Sequence, residues 1–118
     1  MNGLMFPKQT TKKRRKTHAK ESIVSNEKYC YLCMHKYGVV NARQLHKHHC
    51  FHGTANRTLA ESDGLFISVC LNCHEIDRDA IHNDHETDLF VMQQAQKAYE
   101  EKLGSREQFI VRYGKNFL

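Results

Sequence analysis

Two Cys-x-x-Cys pairs are the residues of this chain with the clearest capacity for chemistry. They are Cys30/Cys33 and Cys70/Cys73. Paired thiolates at this spacing are typical of a tetrahedral zinc site. Residues 34–69 separate the pairs, a gap of 36 residues, whereas an ordinary zinc ribbon has roughly 15 to 20. We therefore predict one structural zinc ion bound by all four cysteines, with room for another function between them. Cys50 is expected to pack as a small apolar side chain.

A cluster of histidines lies in and beside the segment that the cysteines enclose: His46, His48, His49, His52 and His74. Alternation along a strand would direct His48 and His49 to opposite faces, so that the two neighbours can serve different purposes. A neutral imidazole can bind a metal ion or accept a proton from water near neutral pH. A divalent ion stabilises the charge that develops on a phosphate during hydrolysis. The cluster therefore predicts a second, catalytic metal site.

The positive charge of the chain is concentrated near its N-terminus. The chain has 18 Lys and Arg residues and 13 Asp and Glu residues; seven of the basic residues and none of the acidic ones lie in residues 1–20, which leaves 11 basic and 13 acidic residues elsewhere. A run of like charges repels itself and is ordinarily disordered until it meets a polyanion. The run therefore indicates contact with nucleic-acid phosphates, with a solubilising tail as the alternative. Its members are Lys12, Lys13, Arg14, Arg15 and Lys16.

Length and hydropathy favour one small domain of 118 residues. We expect residues 1–25 to form a basic flexible arm and residues 26–118 to form a zinc-stabilised domain. No apolar run approaches the roughly 20 residues of a membrane span, and the apolar patch at residues 4–6 is too short for the core of a signal peptide. We therefore expect a cytoplasmic protein with no membrane partner, in which paired cysteines bind metal rather than form disulfides.

Short strands and C-terminal helices are expected to position these residues. An extended segment from Val39 to Leu45 leads into the histidines, and residues 65–69 are rich in β-branched and aromatic side chains, as in a strand. Asn83 predicts the N-terminal cap of a long helix, and Ser105 with Gln108 predicts the start of a shorter one. The pattern indicates an α+β fold.

The motif His48-His49, a central asparagine and the Cys-x-x-Cys-His sequence that ends at His74 resemble the HNH endonuclease family and its ββα-metal fold. The segments that carry the resemblance are 48–57, 70–74 and 113–118. The resemblance extends over about residues 28–118 and is strongest to small HNH proteins of phages and prophages. It implies that His48 is the first metal ligand, His49 the general base and His74 a helix-borne metal ligand. It also implies a small ββα-metal, treble-clef-like core, with the zinc joining the two ends of the motif and C-terminal helices behind it.

One position departs from the family pattern. HNH proteins commonly place the middle asparagine just before the second cysteine pair, where this chain has Asp63-Gly64-Leu65. We assign Asn56 to that role instead, as the residue that braces the loop around the base. Arg57 is assigned to contact with the scissile phosphate, and His82 to a further metal ligand or phosphate contact.

The function that the resemblance implies is a metal-dependent DNA endonuclease or nickase in phage or prophage DNA metabolism, in the cytoplasm of the bacterial host. Its cofactors would be structural Zn²⁺ and catalytic Mg²⁺, Mn²⁺ or Ni²⁺. DNA would be bound mostly through its phosphates, since the chain offers no element that reads bases. RNA and branched DNA are alternative substrates, and a monomer and a homodimer are both open. The alternative function is a non-catalytic zinc module that binds nucleic acid or protein.

Overall fold

A two-stranded antiparallel sheet and the helices around it make up the fold. The computed structural model describes residues 18–118, and the predicted basic run at residues 12–16 lies outside the described residues. The elements in chain order are α1 (Tyr31–Tyr37), β1 (Leu45–His49), α2 (Thr54–Asp63), β2 (Phe66–Cys70), a π-helical turn (Asn72–Ile76), α3 (His85–Lys102) and α4 (Arg106–Tyr113). The predicted α+β class is confirmed, and the ββα-metal assignment stays a prediction from the resemblance.

The sheet places the histidine strand beside the strand that ends in the second cysteine pair. Leu45 of β1 is opposite Cys70 of β2, and His49 is opposite Phe66. β2 is buried along its whole length except at Ser68, which is half-buried. Its β-branched and aromatic side chains suit a strand that packs on both faces. The strand predicted at residues 65–69 is confirmed to within one residue at each end.

β1 contains three of the predicted site histidines, His46, His48 and His49. The extended segment expected from Val39 to Leu45 leads into this strand rather than forming it, because β1 begins at Leu45. Val39 and Val40 are 49% and 66% exposed. Burial of these apolar side chains therefore does not stabilise a strand in this segment. Along β1, Lys47 is exposed and His48 is buried. The strand therefore directs successive side chains into different surroundings.

α2 connects the two strands, and the segment that precedes α1 is hydrogen-bonded to the backbone at its C-terminal end. The backbone N–H of Ala19 donates to the Glu61 carbonyl at 2.9 Å, and that of Ile23 donates to the Gly64 carbonyl at 2.9 Å. Gly64 ends α2 with a φ of +80°, and a Cβ at this position would lie 2.8 Å from the carbonyl oxygen of Glu21. Only glycine fits both the left-handed conformation and this close approach. The described part of the predicted arm thus lies along α2 and the start of β2.

The two C-terminal helices begin at side-chain caps. Ser105 and Gln108 form the predicted reciprocal capping box at the start of α4. The prediction for α3 was wrong by one residue: Asp84, not Asn83, is the N-cap, and its carboxylate accepts from the Thr87 backbone N–H. The Asn83 amide instead donates to two carbonyl groups of the preceding turn. No helix in the described part of the chain is both long and apolar enough to cross a membrane.

An aromatic cluster joins the end of β1 to α4. Phe51 is 1% exposed, and its ring centroid lies 5.3 Å from that of Phe109, 4.8 Å from that of Tyr113 and 5.4 Å from that of Phe117. Aromatic rings at these separations contribute packing energy beyond the burial of their area. Because Phe51 follows the histidine strand directly, this cluster holds the C-terminal end of β1 in place.

Candidate active site and metal centres

Four cysteines from three elements converge beside the sheet. Cys30 caps α1, Cys33 lies in its first turn, Cys70 ends β2 and Cys73 lies in the π-helical turn. Their sulfur atoms all lie within 4.8 Å of one another; the Cys33 Sγ is 3.8 Å from the Cys70 Sγ and 3.7 Å from the Cys73 Sγ. Sulfurs held about 2.3 Å from a tetrahedral ion are about 3.8 Å apart. The predicted convergence is confirmed, and the spacing is compatible with a structural zinc or another metal ion.

These sulfurs are buried and reduced, as the ligands of a structural metal ion are. All five cysteines of the chain are buried and none forms a disulfide. Without a metal ion, burial raises the pKa of the Cys33 and Cys73 thiols; a bound cation would offset this, because its ligands are thiolates. Cys50 is buried apart from the four, and burial raises its pKa as well. This fits the apolar packing expected for Cys50.

Three histidines from different segments lie close together, and one of them, His74, directly follows Cys73. His48 lies on β1, His74 in the π-helical turn and His82 in the loop before α3. One ligand nitrogen of each lies within 4.8 Å of the others. The Nε2 atoms of His74 and His82 are 3.0 Å apart, and the His48 ring centroid is 5.3 Å and 5.5 Å from theirs. The structure thus brings together the three residues that were assigned to the catalytic metal.

His48 has the surroundings of a metal ligand. It is 5% exposed, and its Nε2 is buried without a hydrogen-bond partner among the described residues. Such an atom is costly unless a ligand satisfies it. Burial, together with His74 and His82, lowers the pKa of His48 to about 3, so its ring is neutral near pH 7. Because neutral imidazole is the form that binds metal ions, the three-histidine cluster fits a divalent ion.

The π-helical turn and the loop after it position the other two histidines. The Ile81 N–H donates to the Cys73 carbonyl at 2.9 Å, the His82 N–H donates to the His74 carbonyl at 3.3 Å, and Ile81 is buried. These contacts fold the loop back onto the turn. On the other edge of the His74 ring, Nδ1 is 3.1 Å from the His46 Nδ1. Burial, and then the neighbouring His82, lower the pKa of His74, which favours its neutral form.

His49 faces a different set of residues from its neighbour His48. Its Nε2 is 2.7 Å from a carboxylate oxygen of Glu61 on α2, and its side chain is 26% exposed. The ring opens onto a cleft of about 510 Å³, which is large enough for part of an extended ligand. A solvent-accessible imidazole held by a carboxylate can take a proton from water. The cleft is lined by His18, Lys47, His49, Thr54, Arg57, Thr58 and Glu61.

The two remaining residues assigned from the sequence lie on α2. Arg57 is exposed and lines the cleft at His49. The Asn56 side-chain amide donates to the Tyr113 carbonyl at 3.3 Å and so connects α2 to the end of α4. Asn56 was assigned to brace the loop around the base, but the group that is hydrogen-bonded to His49 in the structure is the Glu61 carboxylate. The roles assigned to Asn56 and Arg57 stay predictions.

Glu61 is the site residue that sequence analysis missed. Its carboxylate is also 2.8 Å from the His18 Nδ1 and accepts from the Lys47 Nζ at 3.2 Å on both oxygens. The sequence did indicate that Glu61 belongs to a polar helix face, because four polar residues are spaced by three and four positions. Nothing in the sequence says that this face meets β1. The four residues are Thr54, Arg57, Thr58 and Glu61.

Three chemically distinct groups stand out among the described residues: a buried four-cysteine cluster, a three-histidine cluster, and an accessible histidine paired with a carboxylate. The first two fit metal ions, and the third fits a proton acceptor. A functional interpretation has to start from these residues. Comparisons of the chain with protein-family models, with curated proteins and with solved structures found no match.

Proposed function

We propose that this protein is a metal-dependent nuclease of the HNH type, which hydrolyses phosphodiester bonds in DNA. The observation that carries the proposal is the pair of consecutive histidines on β1. His48 presents a buried nitrogen, without a partner in the described residues, to the His74 and His82 cluster, whereas His49 bonds a carboxylate in an open cleft. One neighbour is suited to bind a metal ion and the other to accept a proton. Metal-assisted hydrolysis needs a group of each kind, and consecutive residues of one strand supply them here.

The four cysteines are assigned to a zinc ion with a structural role. A site closed by four thiolates leaves no open coordination position for a substrate. This zinc would connect α1, the end of β2 and the π-helical turn, and would hold Cys73 in place. Because His74 directly follows Cys73, the zinc would also position a residue of the three-histidine cluster.

His48, His74 and His82 are assigned to the catalytic ion. When bound there, a divalent ion supplies positive charge that stabilises the phosphate oxygens in the transition state. Imidazole nitrogens suit Ni²⁺ and similar transition ions, whereas Mg²⁺ prefers oxygen ligands. Among Mg²⁺, Mn²⁺ and Ni²⁺ we therefore expect Ni²⁺ to bind the cluster most tightly.

His49 is assigned as the general base. Its unprotonated ring nitrogen takes a proton from a water molecule, whose oxygen forms a bond to phosphorus while the bond from phosphorus to the leaving sugar oxygen breaks. The leaving oxygen takes a proton from solvent, and His49 later releases its own proton to water. General base catalysis of this kind contributes roughly 10²–10⁴-fold to a rate.

Positive charge around the cleft supports a polyanionic substrate. Lys47 and Arg57 lie in the cleft with His49, and the basic run at residues 12–16 ends two positions before His18, whose ring is hydrogen-bonded in the same cleft. Contacts of this type bind phosphates without reading a base sequence. They are consistent with DNA held by its backbone next to the proposed base.

The direct test is plasmid cleavage by the purified protein with no added ion and with Mg²⁺, Mn²⁺ or Ni²⁺. We expect ion-dependent cutting that falls by about 10²-fold or more in His49→Ala, because the general base is lost. His85→Ala is the matched control, since His85 is exposed at the first position of α3; it should cut like the parent. Both variants should keep the parent's zinc content.

Two outcomes would overturn the proposal. If His49→Ala cuts as fast as the parent, His49 is not the base. If the folded, metal-loaded parent cuts neither duplex, single-stranded nor branched DNA, the protein is not a DNA nuclease. In that case RNA cleavage should be measured next, and binding without cleavage would indicate the non-catalytic zinc module.

A further inference from the structure

The contact between His49 and Glu61 defines which nitrogen of His49 is free. The His49 Nε2 lies 2.7 Å from the Glu61 Oε1, a distance typical of a charge-assisted hydrogen bond. An ionised carboxylate only accepts hydrogen bonds, so the ring must donate from Nε2. In a neutral imidazole the other nitrogen then carries the lone pair. That nitrogen, Nδ1, is the one available to accept a proton.

Glu61 is held in its ionised form by its neighbours. Its side chain is 16% exposed, which alone would disfavour the charge. The hydrogen bond from His49, assisted by those from His18 and Lys47, nevertheless lowers the pKa of Glu61 to about 2. Lys47 reaches both carboxylate oxygens at 3.2 Å. The carboxylate is therefore an acceptor throughout the pH range in which a nuclease would work.

The position of Glu61 is also fixed by the packing of α2. The neighbouring Ala60 is completely buried, and the Glu61 carbonyl accepts from the Ala19 N–H. Two residues further on, Asp63 accepts two hydrogen bonds from Arg112, at 2.7 Å and 3.0 Å. A carboxylate on a helix that is anchored in this way can hold the imidazole in one orientation, which side chains on loops do less accurately.

We propose that Glu61 is a positioning residue for His49: it binds the Nε2–H of the ring, presents Nδ1 to the attacking water and stabilises the positive charge that the ring acquires. This inference rests on the proposed function of His49 as the base. A buried carboxylate has the same two effects on the histidine of a serine-protease triad, where it fixes the tautomer and favours the imidazolium. Glu61 touches no reacting atom and acts only through His49.

The activity test compares Glu61→Gln with the parent and with Glu107→Gln, which makes the same chemical change on the exposed face of α4. We expect Glu61→Gln to lower kcat by about 100-fold or more, because the tautomer is no longer fixed. KM for DNA should stay within about twofold, since Glu61 acts on the chemical step through His49 and not on binding of the substrate. Glu107→Gln should behave like the parent. An unchanged kcat in folded Glu61→Gln would contradict the inference.

Glu61→Asp provides a second variant in case Glu61→Gln does not fold. Aspartate keeps the negative charge that pairs with Lys47, but its carboxylate ends one carbon farther from His49. Its kcat should lie between those of the parent and of Glu61→Gln. If Glu61→Gln does not fold, a parent-like kcat in folded Glu61→Asp would contradict a role for Glu61 in positioning the base.

A spectroscopic measurement separates this inference from the proposed function. Long-range ¹H–¹⁵N correlation spectra of the zinc-loaded, ¹⁵N-labelled parent report which ring nitrogen of each histidine carries the proton, and the His49 signals are those absent in His49→Ala. We expect the Nε2–H tautomer in the parent and a mixture of tautomers in Glu61→Gln. An Nδ1–H tautomer in the parent would overturn the inference even if the protein cuts DNA. The Nε2–H tautomer in a protein that cuts no substrate would overturn the nuclease proposal and leave the Glu61 contact standing.

Discussion

His48 and His82 show how two residues of the same cluster can differ in accessibility. His48 is buried with an unpaired Nε2 in the described structure, so its replacement would alter packing as well as metal binding. His82 is exposed, and its Nε2 is 3.0 Å from the His74 Nε2. Removal of an exposed imidazole leaves no cavity. His82 is therefore the residue at which metal binding can be tested separately from folding.

We expect His82→Ala to weaken Ni²⁺ binding by at least about tenfold, because one of three imidazole ligands is lost. The measurement is calorimetric titration of zinc-loaded protein with Ni²⁺, and the free energy of unfolding of the zinc-loaded protein should change little. His85→Ala, three residues further along the chain, should bind Ni²⁺ like the parent. Equal Ni²⁺ affinity in His82→Ala and the parent would show that His82 is not a ligand.

A buried polar network between α2 and α4 holds one of the elements of the candidate site in place. Asp63 ends α2, its side chain is 4% exposed, and it accepts from the Arg112 guanidinium at 2.7 Å and 3.0 Å and from the Tyr113 hydroxyl at 2.8 Å. A fully satisfied network in a site of low dielectric constant specifies one arrangement of its elements. It connects the helix that carries Glu61 to the helix that packs on Phe51.

Asp63→Ala should lower the free energy of unfolding by about 3 kcal/mol, because it leaves a half-buried guanidinium and a buried hydroxyl without their acceptor. Urea denaturation monitored by circular dichroism measures this change. Arg106→Ala is the comparison, since it breaks the exposed Arg106–Glu100 ion pair, and exposed pairs contribute little. If the two variants lose equal stability, the buried network does not hold α2 against α4.

At the scale of the molecule, the consecutive residues Cys73 and His74 connect the four-cysteine cluster to the three-histidine cluster in the described part of the chain. The four-cysteine cluster joins elements that are far apart in the chain, from α1 to the π-helical turn, and the three-histidine cluster begins at the next residue. A chain of this size buries a small core, and a structural metal contributes directly to its folding. We therefore expect the zinc-free chain to lose the fold together with the active site.

Cys73→Ser should unfold the domain rather than only inactivate it, because metal binding and folding are linked. Zinc content by native mass spectrometry and secondary structure by circular dichroism measure the two properties together. Removal of zinc from the parent by a strong chelator should have the same effect. Cys50→Ala is the matched control, since Cys50 is buried outside the cluster; it should keep its zinc and lose at most about 2 kcal/mol. A folded, zinc-free Cys73→Ser protein would refute this expectation.

The amino-acid sequence by itself determined the features that depend on local spacing. The repeated Cys-x-x-Cys pairs predicted the cysteine cluster, the apolar run at residues 65–69 predicted β2, and Ser105 with Gln108 predicted the cap of α4. Each of these signals needs only a few neighbouring residues and a known backbone geometry. The different surroundings of His48 and His49 follow in the same way from alternation along a strand.

Only the tertiary structure decided which distant groups meet. It placed Glu61 against His49 across 12 positions of the chain, attached Asn56 to the Tyr113 carbonyl, and brought His18 into the cleft beside α2. It also put the α3 cap at Asp84 although the adjacent Asn83 has an equally suitable side chain. Contacts between elements depend on how whole faces pack, and such packing leaves no periodic pattern in the sequence. The positioning of the proposed base is therefore a property of the folded chain.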